Sequence, residues 1–161
     1  MKKQSAGILP YKFVKDQLFF FIAHPGGPFY KKKDDGWWSI VKGELEGDEE
    51  PQAAAKREFK EETTIDIKGP MLALTPLKQK SGKLVYAWAI ELDIATDTIK
   101  SNLFTLEWPP KSGRMVEFPE LDKFEWFDVA TTLVKLLPGH VPFVHEILSH
   151  LQAGKAGDSA K

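Results

Sequence analysis

Glu58, Glu61 and Glu62 stand at i, i+3 and i+4. On a helix all three project from one face, within about 100° of each other. Carboxylates placed this way repel one another, and either nearby lysines or a divalent cation can relieve the repulsion. Carboxylate oxygens are the ligands that hard Mg²⁺ or Mn²⁺ prefer. Mg²⁺ usually keeps several waters and takes its other ligands from one or two carboxylates and from substrate phosphates. The bland alternative is a solvated acidic face, which is how most Glu-rich helices end up. The triplet alone does not separate the two.

The element that must carry these glutamates is a helix over about 49–63. Asp48 is the expected N-cap, Glu49 and Glu50 suit the positive end of the dipole, and Pro51 is tolerated in the first turn. Ala53, Ala54 and Ala55 are strong helix formers. Upstream, Ala6–Tyr11 and the Phe-rich run Leu18–His24 read as strands joined by a turn at Lys15-Asp16-Gln17. Pro25-Gly26-Gly27-Pro28 breaks regular structure, and a loop with Lys31, Lys32 and Lys33 follows. Downstream, 71–77, 84–92 and 124–127 read as strands. Residues 129–137 and 141–151 read as helices separated by Pro138-Gly139. Strands, helix, strands and C-terminal helices imply an α/β or α+β sandwich with a mixed sheet, in one domain over 1–152. The small polar stretch 153–161 is expected to be a disordered tail.

Composition narrows the chemistry. The chain has 161 residues, enough to bury a real core in one domain. It contains no cysteine, which excludes a disulfide framework, a thiolate zinc site and a cysteine nucleophile. The formal net charge of −1 gives no global basic field for nucleic acid or an anionic membrane. The apolar run Leu18–Ala23 is far short of the ~20 residues of a membrane span. The N-terminal segment has no apolar stretch long enough for a signal peptide. A cytoplasmic protein without membrane or nucleic-acid partners is the expectation. Oligomeric state is not legible, and a homodimer is compatible with the sequence.

The wider spacing lifts the acidic triplet out of the ordinary. Gly43 is followed after five residues by Glu49, and after seven more by Arg57-Glu58-Phe59-Lys60-Glu61-Glu62-Thr63-Thr64-Ile65. This resembles the signature box of the Nudix (MutT-like) hydrolases, with one departure: Thr64 stands where the family has glycine. Ser5-Ala6-Gly7-Ile8 resembles the family's first strand. Trp38-Ser39-Ile40-Val41-Lys42-Gly43-Glu44 resembles the lead-in to the box, with Val41 where proline is commoner. Glu125-Trp126-Phe127 resembles the late strand that closes the fold. The segment Pro25–Gly36 resembles a bacterial subgroup known only as predicted NTP pyrophosphohydrolases, and is also similar to dinucleoside polyphosphate hydrolases.

The resemblance implies a Nudix-type α/β/α sandwich and Mg²⁺-dependent cleavage of a phosphoanhydride in a nucleoside diphosphate linked to another group. Mn²⁺ is the alternative metal. It implies metal ligation by Glu58, Glu61, Glu62 and the carbonyl of Gly43. It also implies a brace between Arg57 and Glu49 that supports the ligands rather than reacting. A fourth acidic ligand or base is expected from the loop before the late strand, with Glu120 the first candidate and Glu117 its competitor. The general base stays open among Glu58, Glu61 and Glu120. Lys42 is the candidate phosphate contact, and Trp38 and Trp108 are candidate stacking partners for a base. Lys31–Lys33 are either a solvated loop or part of the phosphate site. Thr64 is β-branched and resists the left-handed backbone that glycine would adopt, so the helix is expected to end differently. The competing function is a catalytically silent Nudix-fold nucleotide-binding or sensor module.

Overall fold

Two strands with apolar residues on both faces decide the architecture. A computed structural model describes residues 3–96, 99 and 101–159. Strand β1 (Gln4–Val14) is buried without interruption from Ser5 to Pro10. Strand β2 (Gln17–Pro25) buries Phe20 to His24. An uninterrupted buried run belongs to a strand covered on both sides. The layout follows, with strands β3 (Val41–Glu44), β4 (Leu72–Ala73), β5 (Leu77–Lys78), β6 (Leu84–Glu91) and β9 (Leu121–Asp128) joining them in a seven-stranded sheet. The main order is β4-β6-β1-β2-β9, with β3 also paired to β1 and β5 to β6. β1 and β6 run parallel, and the other pairs are antiparallel.

Alternate residues feed two cores. Ala6, Ile8, Phe21 and Ala23 face helix α1 (Pro51–Thr63), where they meet Ala54, Ala55 and Phe59. Leu9, Phe20 and Ile22 face the other way, toward Leu136, Phe143, Val144 and Ile147. Those residues belong to helices α2 (Val129–Lys135) and α3 (Val141–Ser159) and to the chain between them. The result is the expected α/β/α sandwich around a mixed sheet. A second, two-stranded sheet was not expected: β7 (Leu103–Glu107) and β8 (Met115–Pro119) form a hairpin. Their sequences lack the strongly apolar alternation of the main strands, and Leu103 and Met115 are exposed.

Three local expectations change. Asp48 does not cap α1. The cap position is Glu50, extended at φ −68° and ψ 139°, and it makes no side-chain bond. Pro51 enforces this, because the residue before a proline is pushed out of the helical region. The expected strand at 71–77 is two short pieces, β4 and β5. The last helix continues past residue 151 to Ser159, while residues 160–161 of the expected tail lie outside the described residues.

The helix exit is the fourth change. Thr64 adopts the left-handed conformation at φ 66° and ψ 4°, and its N–H donates to the Lys60 carbonyl at 2.8 Å. Threonine therefore does here what glycine would do, and Ile65 keeps its inward course, packed against the core beneath α1. A β-branched residue holds that conformation at a cost of about 1–2 kcal/mol. Thr64→Gly should accordingly stabilise the fold by about 1 kcal/mol, less than the full strain because glycine frees the unfolded chain. Urea unfolding measures this as a higher midpoint at unchanged slope. A lower midpoint would mean that the Thr64 hydroxyl, which donates to the Thr63 carbonyl, outweighs the strain.

Candidate active site

Strand β3 and helix α1 deliver the first components. Val41 and Gly43 face α1, while Lys42 and Glu44, one residue out of phase, face the opposite side of the sheet. Gly43 pairs with Ala6 of β1. A β-carbon on Gly43 would fall onto the carboxyl group of Glu58, so the strand backbone and this carboxylate lie in direct contact. Glycine is required at this position for that close approach.

Arg57 organises the acidic residues. Its Nε donates to Glu49 Oε2 at 2.8 Å and one terminal nitrogen donates to Glu49 Oε1 at 3.0 Å, a two-pronged pair. That terminal nitrogen also donates to the Glu44 carbonyl at 3.1 Å. The other terminal nitrogen donates to Glu58 at 2.9 Å and to Glu61 at 3.1 Å. Bonding to Glu49 above all, then to Glu61 and Glu58, raises the guanidinium pKa further, so it is permanently charged. The Glu49 carboxyl is pulled below its ordinary value by the same pair, helped by the Glu46 N–H. The brace expected between Arg57 and Glu49 is therefore present, and it reaches the candidate ligands as well.

Glu62 lies deeper. It is buried on the face of α1 that meets the sheet, and its carboxyl faces that of Glu120. Burial first, then the hydrogen bond with Glu120, pushes its pKa up to about 8. Ser101 donates a hydrogen bond to Glu62, and its hydroxyl oxygen accepts the Leu121 N–H at 3.0 Å. Ser101 thus ties α1 to the start of β9, a link that no sequence motif announced. Burial also raises the pKa of Glu58, against the pull of Arg57, with Glu61 and Glu120 adding to the rise.

Glu120 reaches this cluster because of its place in the chain. It sits between β8 and β9, and its carbonyl accepts the Gly26 N–H at 2.8 Å. A β-carbon on Gly26 would strike the backbone of Pro119, so a glycine lets the two segments meet. Glu117, the other loop candidate, lies within β8 opposite Thr105, out on the hairpin.

The remaining candidates are scattered. Lys42 lies on the sheet face away from α1, where burial and then Lys83 lower its pKa. Its neighbour there, His140, is buried and accepts the Ile40 N–H at Nδ1. Trp38 is only 4% exposed, and its indole N–H donates to Asp34 at 2.8 Å. It therefore offers little ring face for stacking. Trp108 packs edge-to-face on Phe29, with ring centres 5.3 Å apart. It lines a cleft of about 450 Å³ together with Phe118 and Lys31.

The acidic site fits a hard divalent cation. Its donors are all oxygens: the Glu58, Glu61, Glu62 and Glu120 carboxylates and the nearby backbone of Gly43. Burial and the neighbouring Glu120 carboxyl favour the protonated form of Glu62, and a cation there would relieve the same crowding. Among the described residues, no three acidic or histidine side chains already converge as they would around a bound ion. Arg57 instead occupies one oxygen of each of Glu58 and Glu61.

Comparison with known proteins agrees with this geometry. The family model described as NUDIX domain matches residues 1–150, and the chain belongs to the Nudix family. The fold is shared with the NUDIX domain of Shewanella oneidensis NrtR, solved with ADP ribose: TM-score 0.65, 12% identity, 94% of this chain and 89% of that one. It is shared equally with a Caenorhabditis elegans Ap4A hydrolase: TM-score 0.65, 18% identity, 94% and 98% of the two chains. In sequence, an octanoyltransferase of Myxococcus xanthus is 33% identical over 101 residues, 63% of this chain. An uncharacterized mimivirus protein, L534, is 39% identical over 61 residues, 38% of this chain. The matched segments make up only 25% and 20% of those relatives' lengths.

The raised pKa of Glu62 has a measurable consequence in chelator-treated protein. Glu62 binds a proton more tightly folded than unfolded, its pKa rising from 4.5 to about 8. This stabilisation is complete below about pH 4.5 and is lost as pH rises through about 8. The thermal midpoint of metal-free protein should therefore fall over that window, and Glu62→Gln should flatten the fall. Mg²⁺ should restore the midpoint at high pH. A wild-type midpoint that does not fall would rule out the raised pKa of Glu62.

Proposed function

We propose that this chain is a Mg²⁺-dependent pyrophosphohydrolase, with Mn²⁺ as an alternative metal, acting on a nucleoside diphosphate linked to another group. The nucleoside triphosphates and dinucleoside polyphosphates are the substrate classes we favour. One observation carries the proposal: Arg57 gathers Glu49, Glu58 and Glu61, with the Glu58 carboxyl against the Gly43 backbone. Neighbours of this fold solved with ADP ribose, or named as Ap4A hydrolases, support a nucleotide-type ligand. Residues 1–152 would form the catalytic unit.

In this reading Glu58, Glu61, Glu62, Glu120 and the Gly43 carbonyl hold the metal. The ion, when bound, would neutralise the bridging phosphates and acidify a water. Arg57 and Glu49 keep the loop and helix in register, so that the ligands need little reorganisation. Displacing Arg57 from Glu58 and Glu61 frees both carboxylates while its pairing with Glu49 stays intact. A cation held by these residues would also release the proton of Glu62 to solvent. The base that takes a proton from the attacking water is Glu58, Glu61 or Glu120. Glu61 and Glu120 are the more open to solvent. Trp108 and Phe29 form an aromatic wall beside Lys31 where a nucleobase would stack, and this wall suits the role better than buried Trp38.

The deciding experiment is a panel of nucleoside triphosphates, ADP-ribose, nucleotide sugars and dinucleoside polyphosphates, assayed with Mg²⁺ and phosphatase coupling. Turnover of at least one class is expected. Glu61→Gln and Glu120→Gln should be compared by calorimetry for Mg²⁺ binding. The residue acting as base loses about 10²–10⁴-fold in kcat while still binding metal. Nucleotide binding without turnover of any class would favour a sensor module instead. Absence of Mg²⁺ binding would overturn the metal site altogether.

A further inference from the structure

Two residues outside any motif, Ser101 and Asn102, close the β7–β8 hairpin at its root. Asn102 precedes β7 and Glu120 follows β8, so the hairpin leaves and returns at one place. Its last ladder pair joins Leu103 to Pro119. Beyond that pair, the Glu120 N–H donates to the Asn102 carbonyl at 2.8 Å. The Leu121 N–H donates to the Ser101 hydroxyl oxygen at 3.0 Å. The Glu120 carbonyl is engaged as well, by the Gly26 N–H at 2.8 Å. The backbone that carries Glu120 is therefore held on both sides.

Ser101 adds what backbone pairing does not. Its hydroxyl donates to Glu62, a carboxylate of α1 that is only 2% exposed. The Asn102 carbonyl, at 3.3 Å, is the weaker acceptor for the same proton. A hydroxyl carries a donor and acceptor lone pairs on one atom, so it can receive an amide and donate to a carboxylate at once. Alanine can do neither.

The plain alternative is a loop serine that only satisfies a nearby amide, which is common. Two observations weigh against it. The group that accepts its proton is a buried carboxylate, not a backbone carbonyl. The amide it receives adjoins Glu120, the residue whose carboxyl meets that same Glu62. Two carboxyls far apart in sequence are thus referenced to one oxygen atom. Arg57 bonds to Glu49, Glu58 and Glu61, and on the Glu62 side of the cluster Ser101 stands in the comparable place.

We propose that Ser101 is a positioning residue of the metal site: its hydroxyl orients the Glu62 carboxylate and anchors the backbone of Glu120, so that both offer oxygens to one divalent cation. The effect on catalysis rests on the pyrophosphohydrolase reading. The effect on the metal-free protein rests on the hydrogen bonds alone. In this role Ser101 touches neither the ion nor the substrate. Without it, Glu62 can rotate and the Leu121 amide is unbonded, so binding a cation must also order its ligands.

The test compares Ser101→Ala with Ser101→Thr, which keeps the hydroxyl. In chelator, the Leu121 amide of Ser101→Ala should exchange its hydrogen roughly tenfold faster than in wild type, with the Glu120 amide changed less. Calorimetry with Mg²⁺ alone, without nucleotide, should show Ser101→Ala binding about 10–100-fold more weakly. Ser101→Thr should recover most of that loss. In kinetics, the Mg²⁺ concentration for half-maximal rate should rise in Ser101→Ala by a similar factor, while KM for the nucleotide at saturating Mg²⁺ stays as in wild type. Equal Mg²⁺ binding by wild type and Ser101→Ala overturns the proposal, even if the enzyme is active. Ser101→Thr as weak as Ser101→Ala assigns the loss to loop packing and overturns it too. If wild type binds Mg²⁺ but turns over no nucleotide, the catalytic reading fails by itself, and the calorimetry still decides the role of Ser101.

Discussion

A single guanidinium holds together an arrangement that would otherwise fly apart. Glu49, Glu58 and Glu61 all bond to Arg57, and the Glu62 and Glu120 carboxyls lie close by. Like charges a few ångströms apart in a partly buried setting cost far more than they would in water. The protein meets that cost in two ways. Arg57 neutralises Glu49, Glu58 and Glu61, and burial beside Glu120 favours a proton on Glu62. Both are provisional solutions, since a proton and a guanidinium can each give way to a metal ion. The tie of Arg57 to Glu49 and to the Glu44 carbonyl is different, because it fixes the loop to the helix whatever the other carboxylates are doing.

The sheet makes the crowding possible. Gly43 faces α1 only because Val41 does, and Val41 does because it belongs to the core with Phe59 and Ala55. Period-two alternation then sends Lys42 to the opposite face, beside Lys83 and His140. The same alternation in β9 puts Phe124 and Trp126 on the α1 side and Lys123, Glu125 and Phe127 on the other. One strand thus separates a cluster of anions from a cluster of cations, and its first residues lie next to both.

Much of this was legible in the residues, for identifiable reasons. The glutamate spacing and the helix end at Thr63 depend on local geometry, which sequence carries directly, while the pairing of Arg57 with Glu49 was implied by the resemblance to the Nudix box. The two-faced core followed from the uninterrupted apolar runs in β1 and β2. What could not be read depends on long-range placement. Ser101 is an ordinary serine in a loop until β9 brings it to Glu62. The choice between Glu120 and Glu117 turns on a hairpin whose strands are half exposed. Lys42 adjoins Gly43 in sequence, yet strand alternation carries its side chain to the far face. Asp48 failed as a cap because Pro51 restricted its predecessor Glu50, a local rule that outweighed a side-chain preference.

The separation of charge across β9 bears on substrate choice. A cation bound by the carboxylates would attract any phosphate, so the acidic cluster by itself discriminates little among anhydrides. Discrimination must come from what surrounds the rest of the ligand. Here the surroundings differ in character: an aromatic wall of Phe29 and Trp108 on the hairpin side, and a lysine wall held by His24 and Asp122 on the other. The Lys33 carbonyl is held by His24, which in turn meets Asp122 of β9, so the loop is anchored by the fold itself.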